Sequence, residues 1–304
     1  MRAPTKADAR RDRSTVVRRY QPIVAVAGAV GCLLIGAGGW IATATAQGQA
    51  AAVDAQTVKY PSGNAQIESF IARPKTPGKH PAIIVVHDDL GLNEPVQSIA
   101  RLFAQAGFVV LAPNLLSRGG AAPAQPAMGP QRPPAARLPV NQTVQDVRAG
   151  FTFLEKDAGV DATKISAVGL GWGGFRVWRL AQQAPTLHRA VVFYGVAPSD
   201  DQLGKINAPV LGHYAEYDFL LTASVLKTQK QLGKKFSYHI YPTDRGFFGG
   251  GSSGSAIDIS ALAGEVDLFA LSTPETSGQK AAPGRADAAP ARLALERTLA
   301  FLRN

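Results

Sequence analysis

The feature that most constrains this chain begins after Pro81, where short, unbroken apolar runs alternate with stretches of helical periodicity. AIIVV (82–86) is followed by VQSIARLFAQAG (96–107), FVVLAP (108–113) by TVQDVRAGFTFLEKDAG (143–159), and ISAVG (165–169) by GFRVWRLAQQA (174–184). AVVFYG, PVLGHY and FSYHIY extend the series with ASVLKTQKQLG (223–233) and a final helix, ARLALERTLAFLR (291–303). A strand that is apolar on both sides must be covered on both faces, and parallel neighbours need crossover connections. The pattern therefore predicts an α/β fold, a mostly parallel sheet with helices on both faces. With 46% apolar residues in 304, the chain can fill such a core. Just before the alternation, TVKYPSGNAQIESFIARP (57–74) places two strand-like runs around a Pro-Ser-Gly-Asn turn and reads as a hairpin.

The first 46 residues have a different character. A basic segment ending RRDRSTVVRRYQP leads into IVAVAGAVGCLLIGAGGWIATATA, a chargeless run closing on Ala44-Thr45-Ala46. That is the layout of an export signal, and it is also long enough to be an uncleaved N-terminal membrane anchor over residues 22–46. The expected location is the bacterial periplasm or the exterior, with anchoring to the inner membrane as the alternative. Arg18-Arg19 ahead of a weakly apolar run hints at twin-arginine export.

Half of the net charge of +10 lies in these 46 residues, which hold seven Lys/Arg against two Asp. The folded part then carries only a mild, dispersed positive excess, which gives no footprint for nucleic acid. Cys32, the single cysteine, lies inside the apolar run. The folded part thus lacks a disulfide, a thiolate metal site and a thiol nucleophile. Two segments, 118–139 (Pro/Ala-rich) and 272–290 (linker-like), read as an exposed loop and a connector.

Ligands of open α/β sheets bind at the carboxyl ends of the strands. Those ends carry His87-Asp88-Asp89, Asn114, Gly171, Asp218 and Asp244-Arg245-Gly246-Phe247. The stretch AVGLGWGGF (167–175) has the strand–Gly-x-nucleophile-x-Gly–helix form of a nucleophile elbow, with Gly171 at the nucleophile position. Asp218 and then residue 245 follow in the nucleophile–acid–third-member order of α/β-hydrolases.

VVHDDLGLNEP, VVLAPNLLSR, VGLGWGGF, LGHYAEYD, HIYPTDRGFF and RLALERTLAFLR together resemble the dienelactone hydrolase family, particularly its exported members, from about Gln56 to the C-terminus. The resemblance implies one α/β-hydrolase domain over residues 56–304, acting on esters or lactones without a cofactor. The family's motifs would read Cys at Gly171, His at Arg245 and Glu at Asp88, with its acid at Asp218. The family mechanism so implied is thiolate attack on a carbonyl, proton transfer by the histidine, and an oxyanion held by backbone N–H groups. Gly171 has no nucleophilic atom, and a guanidinium at 245 keeps its proton near neutral pH.

Three functions remain open from the sequence. The first is a non-catalytic pocket for a small ester, lactone or carboxylate, lined by His87, Asp88, Leu170, Trp172 and Arg118, with an Asp218–Arg245 bidentate pair beneath an empty elbow. In that reading the elbow amides and Arg245 favour an anion, and Asp88 turns to Arg245 or Arg118. The second is an active hydrolase using a water activated by His87, or Ser252/Ser253. The third is a structural or interaction protein at the membrane surface. His213 reads as a packing residue, and His-Asp-Asp in one short loop does not present three ligands to a metal.

Overall fold

The computed structural model describes residues 52–119, 133–198, 200–249 and 288–304, all within the unit formed by residues 46–304. Strands β1 (Val53–Ser62) and β2 (Ala65–Pro74) form the hairpin, paired antiparallel from Val53↔Pro74 to Ser62↔Ala65. Its first strand starts at Val53, three residues before the expected boundary at Gln56. There follow β3 (His80–Val86), α1 (Glu94–Gln105), β4 (Val109–Pro113), α2 (Val140–Glu155), β5 (Val160–Leu170) and α3 (Trp172–Gln183). The chain continues through β6 (Ala190–Phe193), the short α4 (Asp200–Leu203), β7 (Val210–Ala215), α5 (Phe219–Leu232), β8 (Phe236–Tyr241) and α6 (Ala288–Arg303).

The eight strands form one sheet in the order β1-β2-β4-β3-β5-β6-β7-β8. β1–β2 and β2–β4 are antiparallel; every pair from β4 to β8 is parallel. Ile83, Ile84, Val85 and Val86 of β3 and all four residues of β6 are fully buried, so helices cover the sheet on both faces, as the unbroken apolar runs require. This architecture is that of the α/β-hydrolase fold, a mostly parallel sheet with an antiparallel hairpin at one edge.

All five long helices among the described residues start two to four residues earlier than the periodicity implies, and two of them show a local cause. Asp218 caps α5, accepting from Leu221 N at 3.4 Å, so that helix begins at Phe219. Helix α3 begins at Trp172 because the turn from β5 is a single residue. The hairpin is tied down by a buried ion pair: Arg118, just after β4, donates to Asp146 of α2 (2.6 Å) and to Ser62 (2.8 Å to its carbonyl), while Tyr60 Oη donates to Asp146 O (2.9 Å).

The 1–46 segment, most of the 118–139 loop, residues 272–287 of the connector and Ser252/Ser253 lie outside the described residues, while the connector's last three residues open α6. Among the described residues no helix is long and apolar enough to cross a membrane.

Candidate active site

The site is built on the β5–α3 turn. Gly171 is the N-cap of α3 with φ 45° and ψ −107°, a conformation that costs a side chain energy and glycine almost nothing. Its N–H donates to Phe193 O (2.9 Å) and its carbonyl accepts from Gly174 N (3.0 Å). Just beyond, Gly173 lets the helix close onto β3, since a Cβ there would stand 2.3 Å from Val86 O. The elbow backbone is therefore complete although its side chain is absent.

The space of that missing side chain is filled from another strand. A Cβ built on Gly171 would lie 2.3 Å from Asp88 Oδ1 and 2.4 Å from Oδ2. Oδ1 accepts from Trp172 N (2.8 Å) and Asp89 N (2.8 Å), so the carboxylate sits on the helix N-terminus where positive partial charge favours it. Oδ2 accepts no hydrogen bond among the described residues, and the residue as a whole is 9% exposed. Burial pushes the Asp88 pKa up, against the pull of its two backbone donors and the more distant Arg245.

His87 was expected at the pocket as a base or ligand donor; the structure removes it from that role. It is fully buried, its Nε2 accepts from Leu115 N (3.2 Å), and Nδ1 then carries the proton given to Asp88 O (2.6 Å). Neither nitrogen is left for a water, and burial lowers its pKa to about 4. Its ring lies parallel to that of Trp172 at 5.6 Å. Trp172 also carries the guanidinium of Arg176 at 3.5 Å from its ring centre. Burial lowers the Arg176 pKa to about 10, leaving it charged at neutral pH, held by Thr143 Oγ1 (3.2 Å) and Trp172 O (3.1 Å).

Two other expectations are corrected. Leu170 is fully buried in the core rather than lining a ligand space. Arg118 is committed to Asp146 and Ser62 and does not meet Asp88. His213 is a packing residue as read: its nitrogens meet Tyr241 Oη (2.9 Å) and Thr298 Oγ1 (3.0 Å).

Asp218 and Arg245 do come together, through one contact of 3.6 Å between Nη1 and Oδ2, too long for the bidentate pair expected. Asp218 Oδ2 is sealed from solvent and receives no hydrogen bond from the described residues. The loop bearing Arg245 is pinned by two aromatics, Phe247 and Phe248, the latter, missed from the sequence, stacked on Phe193 at 4.2 Å. Tyr194 was missed too: it holds φ 40°, unusual for a non-glycine residue, and its buried hydroxyl donates to Phe248 O (2.5 Å). The fields of Asp88 and Arg245 both reach it, opposing one another on a phenol that burial already keeps protonated. The only sequence signal for it was the YG dipeptide ending AVVFYG.

Among the described residues no group of three or more His, Cys, Asp or Glu could hold a metal ion. A separate groove of ≈ 530 Å³ runs between the hairpin tip and α2, lined by Tyr60, Ser62, Gln145, Arg148 and Phe153 among others, with no elbow residue.

Comparison with known proteins agrees with this architecture. A Salmonella typhi protein named for carboxymethylenebutenolidase activity is 30% identical over 196 residues, covering 59% of this chain and 71% of that protein. A Saccharolobus solfataricus protein of the same name is 27% identical over 233 residues, covering 62% and 88%. In structure, a dienelactone hydrolase homologue from Klebsiella pneumoniae subsp. pneumoniae superposes with a TM-score of 0.64 at 23% identity, over 83% of this chain and 99% of that one. P91, a dienelactone hydrolase-like promiscuous phosphotriesterase from metagenomic libraries, gives 0.57 at 19% identity over 70% and 94%. The model of the dienelactone hydrolase family matches residues 67–303, and the chain belongs to that family.

Proposed function

We propose that this chain is a dienelactone hydrolase-family protein of the cell envelope that keeps the family's pocket for a small ester or lactone but has given up acyl-enzyme chemistry. The observation that carries this reading is the elbow: Gly171 offers no nucleophilic atom, and the Asp88 carboxylate fills the space of the absent side chain. At the third position of the triad, Arg245 offers a permanent cation in place of a base. Asp88 also changes the ligand preference expected from the sequence. A free carboxylate would have to compete with Asp88 for Trp172 N–H and face its charge, so a neutral ester or lactone suits the site better. The exported or anchored location rests on residues 1–46.

The test is chemical trapping. The full-length chain is mixed with short p-nitrophenyl esters or a dienelactone, quenched in acid and weighed intact. The expected result is no acyl adduct and no burst of p-nitrophenol. The variant Gly171→Cys/Asp88→Glu/Arg245→His, which restores the family's residues, is expected to give both. An acyl adduct on any pocket residue of the unaltered chain would overturn the reading.

A further inference from the structure

The elbow is unusual in what has replaced its side chain. Oδ1 of Asp88 is spent on two backbone donors, Trp172 N and Asp89 N, which fix the carboxylate in one orientation. Among the described residues no group donates to Oδ2, which lies 2.4 Å from where a nucleophile's Cβ would stand. A carboxylate anchored by one oxygen, with no donor at the other among the described residues, is arranged to accept a proton, and it stands where the fold delivers chemistry to a bound carbonyl.

We propose that Asp88 is a catalytic general base that activates water for direct hydrolysis of a neutral ester or lactone, with no covalent intermediate. This rests on the reading above that the acyl-enzyme route is closed. In the step, a water held by Asp88 Oδ2 gives it one proton as the water oxygen bonds to the carbonyl carbon. The tetrahedral adduct then collapses, the carbon–alkoxy bond breaks, and the departing oxygen takes the proton back from Asp88. The products are a carboxylic acid and an alcohol, or a single hydroxy acid from a lactone, and the carboxylate is regenerated.

The surroundings suit that role. The groups that face Asp88 are Asp89 on its own loop, the α3 N-terminus at Trp172, Tyr194 at the end of β6, and Arg245 beyond β8. His87, next to it, is buried and neutral above about pH 4. Burial dominates, raising the carboxylate's basicity over that of an ordinary aspartate.

The experiment measures steady-state hydrolysis of p-nitrophenyl acetate and of a dienelactone by the full-length chain and by Asp88→Asn, which preserves the acceptor for Trp172 N. The expected result is turnover without a burst, rising with pH on a limb displaced above the ordinary aspartate range, and a loss of about 100-fold or more in Asp88→Asn. Circular dichroism establishes that the variant is folded; if it is not, the pH–rate limb of the unaltered chain decides. No turnover of either substrate, turnover flat from pH 4 to 8, or a folded Asp88→Asn of full activity overturns the proposal and leaves the closed acyl-enzyme route standing. A burst with a trapped acyl adduct sinks that earlier reading instead.

Discussion

At Gly171 one atom decides between two stable arrangements. Gly171→Ala forces a side chain into positive φ and its Cβ against the Asp88 carboxylate, so a loss of about 2–4 kcal/mol is expected in urea unfolding. In an Asp88→Ala background the cost should fall by about 1 kcal/mol or more, a coupling that a double-mutant cycle measures directly. The Asp218–Arg245 contact is long and half open to water, so Arg245→Gln should cost less than about 1 kcal/mol. His87 sets a pH dependence. Its folded pKa, about 4, lies below the value near 6.5 of an unfolded histidine, so the unfolded state binds the proton more tightly. Stability should be full above about pH 6.5 and fall towards pH 4, by up to about 3 kcal/mol, with His213 adding in the same direction. Denaturation at pH 7 and pH 4.5 checks this, and His87→Gln should flatten the difference. The tight β5–α3 turn at Gly171 and the meeting of Asp218 with Arg245 were legible because these residues lie at strand ends in fixed chain order. The filling of the elbow by Asp88 was not, because sequence order says nothing of where a neighbouring loop's carboxylate turns.

Among the elements, the hairpin and α2 are joined by a charge pair as well as by Tyr60. Asp146 is fully buried and serves Arg118 and Ser62 at once. Removing it as Asp146→Ala strands a guanidinium that is 14% exposed, and a loss of about 3–5 kcal/mol in thermal or urea unfolding is expected. Replacing both partners with apolar residues should cost much less. The strand and helix series was legible because burial on both faces forces continuous apolar runs. Arg118 read as a pocket residue, since charge in sequence carries no mark of a partner 28 positions away, here Asp146. Helix starts shifted for a local reason: a cap at Asp218 and a one-residue turn at Gly171 outweighed side-chain periodicity.

For the whole molecule, the address and the fold are separate statements in the chain. The basic and apolar 1–46 segment directs export or anchoring on our reading, so the full-length protein should fractionate with the envelope and a chain begun at Gln47 with the cytosol. Full-length protein found in the cytosol would end that reading. The occupied elbow also constrains the routes by which a sequence like this could change. Restoring a thiol at 171 first meets the Asp88 carboxylate, while removing that carboxylate first leaves Trp172 N–H without its acceptor. Either single step is expected to cost stability that the second restores, so the two changes are coupled and the order in which they are made acts as a ratchet.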